Sequence, residues 1–138
     1  MKSNRITLVT LAAEDVPALT AFYSSLGWVI EESLEGTCFF DMDGAKFGIY
    51  DKALLARDLG RDPDSLGTGA MTLAQNFPDR AAVDAAYDRA IAAGGTVCKP
   101  PEAVFWGGYS GTWADPEGHV WEYAHNPFWE LTEDGRLA

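Results

Sequence analysis

A repeat constrains this chain before any single residue does. Asp41-Met-Asp-Gly44 followed by Ala-Lys-Phe-Gly-Ile-Tyr-Asp51 returns as Asp115-Pro-Glu-Gly118 followed by His-Val-Trp-Glu-Tyr-Ala-His125, at an offset of 74 residues. A unit that recurs once in 138 residues implies two small modules of one design. The second copy lies in a conspicuous stretch, Phe105 to Pro127. It holds three of the five Trp, both His, and Glu122 in the middle of an aromatic strand.

Each copy ends a longer pattern. Arg5 to Leu11 is rich in β-branched residues and predicts a strand. Ala12 to Leu26 predicts a helix, with Glu14 and Asp15 in its first turn, Pro17 tolerated there, and an apolar stripe of Val16, Leu19, Phe22, Tyr23 and Leu26. Gly27 ends it, and Trp28–Leu34, Gly36–Met42 and Ala45–Tyr50 predict three strands. After a Gly/Pro/Asp-rich link with one short helix, the pattern returns. Gly69–Asn76 is a strand, Pro78–Ala93 a helix with Val83, Tyr87, Ala90 and Ile91 on one face, and Thr96–Lys99 a strand. Pro100-Pro101 is expected to open a loop running through Trp106-Gly107-Gly108. Tyr109–Ala114 and His119–His125 complete the module, joined by a type I turn at Asp115-Pro-Glu-Gly118. The expected fold is therefore α+β, two tandem βαβββ modules. Module one spans 5–51, the linker 52–68, module two 69–126 and a tail 127–138.

Composition narrows the function classes. Ten basic against 21 acidic residues give a net charge of −11, which repels nucleic acid and anionic membrane and favours neutral or cationic ligands. No apolar run approaches the length of a membrane span, and the N-terminus does not read as a signal peptide. Cys38 and Cys98 lack metal-type spacing and are expected to be reduced core residues of a cytoplasmic protein. His119-x-x-Glu122-x-x-His125 has the look of a ligand cluster, but strand alternation sends Glu122 opposite to both histidines. Gly108-Tyr-Ser-Gly111 lacks the second glycine of a nucleophile elbow, since position 112 is Thr.

The ordered set Asp15, Phe22-Tyr23, Leu26-Gly27, Ala93-Gly94-Gly95 and Asp115-Pro-Glu-Gly-His119 with Glu122 resembles the vicinal oxygen chelate superfamily. That superfamily includes glyoxalases, bleomycin resistance proteins and extradiol dioxygenases. The resemblance implies four metal-ligand positions, one on the first and one on the last strand of each module. They fall at Thr7, Gly48, Thr72 (or Met71) and Glu122, and only Glu122 is a ligand-type residue. A catalytic divalent ion needs about three protein ligands, so no metal and no cofactor is expected. The expected function is a metal-independent small-molecule binding protein, similar to resistance proteins that sequester drugs. Glu122 would be its polar anchor, Trp106, Tyr109 and Trp113 its wall or lid, and Thr7 and Thr72 its hydroxyl donors. The ligand would be aromatic or cationic. A homodimer is expected, since pairing covers sheet edges. The alternative is a glyoxalase-like lyase, isomerase or dioxygenase with an atypical metal site.

Overall fold

The computed structural model describes residues 3–138. It divides into two compact units, Met1–Gly67 and Thr68–Ala138. The first unit contains β1 (Leu8–Ala13), α1 (Val16–Ser25), β2 (Ile30–Leu34), β3 (Thr37–Asp41), β4 (Lys46–Asp51) and α2 (Lys52–Leu59), followed by a 3-10 turn at Pro63–Ser65. The second contains β5 (Thr72–Asn76), α3 (Arg80–Ala92), β6 (Thr96–Ala103), β7 (Tyr109–Ala114) and β8 (Val120–His125). The sheets have the same order, β1-β4-β3-β2 and β5-β8-β7-β6. In each, the first and last strands pair in parallel and the other pairs are antiparallel.

Helix α1 starts where its cap allows. Asp15 is the N-cap, its Oδ1 accepting from Ala18 N at 3.0 Å. Glu14 and Asp15 therefore precede the first turn, where they were expected to lie inside it, because a side chain that caps cannot be within the helix. Leu19, Phe22 and Tyr23 are buried on the sheet side. Tyr23 is the centre of that core, stacked on Trp28 at 5.0 Å and edge-on to Phe40 and Phe47. In the second unit Asp79 caps α3, and Val83, Tyr87 and Ala90 pack down onto Trp113, Trp121 and Tyr123. The two indoles lie parallel 5.8 Å apart, and the Tyr87 hydroxyl donates to Thr112 O at 2.8 Å.

Both repeat turns close as their sequences demand. Asp43 and Gly44 both take positive φ, 53° and 108°, the conformation a tight hairpin requires. At Asp115–Gly118 the Gly118 N–H bonds Asp115 O at 2.9 Å, and Asp115 Oδ1 accepts from Glu117 N and His119 N. Asp115 is buried with those donors, which is why an acid is tolerated there.

Two expectations are corrected. The strand after α3 does not stop at Lys99: β6 continues through Pro100 and Pro101 to Ala103. It is an edge strand and bulges at Val97/Lys99 and Lys99/Glu102, the setting in which proline is compatible with a sheet. Cys98 is exposed on this edge, and only Cys38 is a core residue. Among the described residues no helix is long and apolar enough to cross a membrane.

Candidate functional site

Alternation along β8 decides which side chains share a face. Trp121 and Tyr123 are buried against α3, so Val120, Glu122 and Ala124 point to the opposite face of the sheet. Register places Ala74 of β5 and Thr112 of β7 directly beside Glu122. Thr72 is paired with Val120 and Ser110 with Ala124, one step away on either side. Glu122 is half-buried. On this face it shares the surface with the hydroxyls of Thr72, Thr112 and Ser110, with Ala74, Ala124 and Val120, and with Asn76 at the end of β5. In the sequence Ser110 and Thr112 enter only through the rejected nucleophile elbow, since it is the pairing of β7 with β8 that brings them to Glu122. The alternation of β7 around Trp113 carried that signal.

The three aromatic residues expected as a wall separate from this face. Trp113 is fully buried between its sheet and α3, where it packs on Trp121, Tyr123 and the close-approaching Gly95. It is a core residue. Tyr109 shares its parity and also faces α3. Its hydroxyl donates to Asp84 at 2.7 Å and the Arg80 guanidinium sits 5.1 Å from its ring centre. The hydrogen bond to the Asp84 carboxylate raises its pKa above the usual phenol value. Trp106 stays in the loop between β6 and β7, closed by Val104 N to Gly108 O and Gly107 N to Val104 O. Its ring lies so close over Gly108 that any side chain there would overlap it.

The first unit holds the counterparts. The 74-residue offset equates Gly48 with Glu122, and the pairing Thr10–Gly48 matches Ala74–Glu122. By the same register Leu8–Lys46 matches Thr72–Val120. The first-strand counterpart of Thr72 is thus Leu8. Thr7 precedes β1, one residue out of phase, and shares the parity of the buried Leu11 and Ala13; its carbonyl accepts from Lys46 N at 2.8 Å. Met71 is likewise out of phase with Thr72 and lies before β5. A Cβ at Gly48 would meet the Phe39 ring at 3.1 and 3.3 Å and Leu8 Cδ1 at 3.6 Å. The space where a ligand side chain would stand in the first unit is filled with hydrocarbon.

This donor set does not suit a divalent ion. Leu8 and Gly48 offer no donor, a neutral Thr72 hydroxyl is a poor one, and Glu122 supplies one carboxylate. His119 and His125 share the parity of Trp121 and Tyr123, and His125 Nδ1 lies 3.0 Å from Phe77 O. Among the described residues no three His, Cys, Asp or Glu side chains gather as a metal would need.

Known proteins carry the same architecture. A glyoxalase-related enzyme from Fulvimarina pelagi is 31% identical over 98% of this chain and 97% of its own, with a TM-score of 0.89. A lactoylglutathione lyase from Agrobacterium tumefaciens is 25% identical over 95% and 100%, with a TM-score of 0.73. A glyoxalase/bleomycin resistance protein/dioxygenase family enzyme from Burkholderia phytofirmans PsJN, 24% identical over 86% and 96% with a TM-score of 0.77, shares the fold. A comparison with curated proteins finds no match. The family model for the Glyoxalase/Bleomycin resistance protein/Dioxygenase superfamily matches residues 5–123, and the chain belongs to that superfamily.

Proposed function

We propose that this chain binds a small organic molecule without a metal, in the manner of the sequestering resistance proteins of its superfamily. The observation that carries the reading is the fate of the four ligand positions. Three are Leu8, Gly48 and Thr72, with Phe39 packed on Gly48, and one carboxylate, Glu122, is left among hydroxyls. A half-buried carboxylate beside Thr72 and Thr112 suits a ligand that brings a cation or hydrogen-bond donors. Thr72 and Thr112 contribute hydroxyls, and Trp106 flanks the strand ends. The net charge of −11 favours the approach of cations. The unpaired cysteines fit a reducing, cytoplasmic setting. A homodimer fits β2, an edge strand exposed along its whole length and preceded by the exposed Val29.

The similarity to a lactoylglutathione lyase and a glyoxalase-related enzyme favours a second reading, a lyase, isomerase or dioxygenase that completes its metal site with unconventional ligands. Metal analysis separates the two. The purified protein is incubated with Ni, Zn, Mn and Fe(II), freed of excess and assayed. The expected result is far below one ion per chain, unchanged in Glu122→Gln. Occupancy near one ion per chain that falls in Glu122→Gln overturns the proposal and establishes the second reading.

A further inference from the structure

After β8 the chain does not trail away. Asn126 turns it, with Phe128 N bonded to Asn126 Oδ1 at 2.9 Å and Trp129 N to Asn126 O at 3.2 Å. A small hairpin follows. Leu131 bridges Leu137, Thr132 N bonds Arg136 O at 2.7 Å, Gly135 N bonds Thr132 O at 3.0 Å, and Ala138 N bonds Glu130 O at 2.9 Å. This hairpin stands against β5, an edge strand of its sheet, and encloses a cleft of about 840 Å3. The cleft adjoins the Glu122 face at Ala74 and Asn76 but contains neither Glu122 nor the hydroxyls of Thr72, Ser110 and Thr112.

The chemistry of the lining is one-sided. Phe77, Pro78, Trp129, Leu131 and Leu137 make its apolar walls. Trp129 and Leu137 remain 57% and 60% exposed. Glu133 and Asp134 are its charged residues, and no Lys or Arg lines it. The nearby Arg136 is committed to Asp134 at 2.9 Å, so it leaves Glu133 as the carboxylate at the rim. An exposed indole and a carboxylate that line one cleft attract a cation, the one through its ring face and the other through its charge.

We propose that this cleft is a second binding site, specific for a small organic cation with an aromatic or aliphatic body, such as a quaternary or protonated amine. The apolar body lies against Phe77, Pro78 and Leu131, and the charge lies between the Trp129 ring and Glu133. The charge complementarity excludes carboxylates and phosphates of the same size. The site stands on its own residues and does not depend on the role assigned to Glu122.

The test uses benzyltrimethylammonium, a permanent cation, with benzoate and benzyl alcohol as matched controls. Binding to the full chain is followed by backbone amide and indole N–H shifts. The cation is expected to move the Trp129 indole and the amides of Phe77, Leu131 and Gly135, and benzoate to move none of them. Trp129→Ala is expected to weaken binding by about fivefold or more and Glu133→Gln by about threefold. The other four indole signals report whether each variant stays folded. Equal binding of benzoate or benzyl alcohol overturns the proposal, as does full affinity in a folded Trp129→Ala. Loss of binding in Glu122→Gln with none in Trp129→Ala moves the probe to the Glu122 face and also overturns it. Concentration-dependent burial of Trp129 with no cation effect makes the cleft an interface between copies and overturns it equally.

Discussion

Glu122 and Gly48 occupy equivalent positions in the two units and differ in everything but backbone. One carries a carboxylate among Thr72, Thr112 and Ala74; the other carries nothing, because Phe39 fills its place. Tyr123, one residue from Glu122, shows the contrast between the two faces of a strand. It is buried against α3, and burial pushes its pKa up to about 12. The consequence has a definite sign. A phenol raised in the folded state keeps its proton after the unfolded chain, at about 10, has lost it. Its contribution is whole below pH 10 and is lost as pH rises toward 12, by about 2–3 kcal/mol. Urea titrations at pH 8 and pH 11 are expected to show a smaller loss in Tyr123→Phe than in the parent chain. The raised pKa values of Tyr50, Tyr87 and Tyr109 add to the loss in both proteins and do not cancel the difference.

Elements were readable wherever side-chain periodicity and turn residues agreed. Helix α3 and strands β7 and β8 lie where alternation and the Asp115–Gly118 turn put them, within one or two residues. Strand β6 was not readable past Lys99, since Pro100 and Pro101 are local signals for a break and only its edge position makes them tolerable. The partner strand pays for this arrangement at Gly111. A Cβ there would fall 2.7 Å from Pro101 N and 2.8–2.9 Å from its ring carbons, with no positive φ involved. Gly111→Ala is therefore expected to destabilise the chain by about 1–3 kcal/mol through overlap alone, measured by urea denaturation. Gly67→Ala, at a site where an added Cβ meets nothing, is the control and is expected to change little. Equal effects in the two variants refute the steric account of β6. The same reliance on pairing explains the candidate site. Alternation alone turned Glu122 away from Trp121 and Tyr123, whereas Leu8 as the counterpart of Thr72 required the parallel register of β1 with β4.

At the scale of the molecule, charge is the property least tied to any element. Ten basic residues face 21 acidic ones; among the described residues Glu31–Lys46, Glu102–Lys99 and Asp134–Arg136 pair on the exposed surface, and Glu14 pairs with a half-buried Lys52. Such surface pairs contribute little to stability, and salt weakens them. Salt also screens the mutual repulsion of the surplus carboxylates, which destabilises any compact state with this net charge. The two effects oppose, and the surplus decides. With acidic residues outnumbering basic ones about two to one, screening removes more repulsion than attraction. Raising sodium chloride from 20 to about 500 mM, across which the screening length falls well below 10 Å, is expected to raise the Tm at pH 8 by a few degrees. The gain should shrink at pH 5.5, nearer the pI of about 4.4, where protonation lowers the net charge. A Tm that falls with salt at pH 8 would assign the stability to the surface pairs instead. It would also remove long-range attraction of cations as a contribution to either binding site, since the same field underlies both.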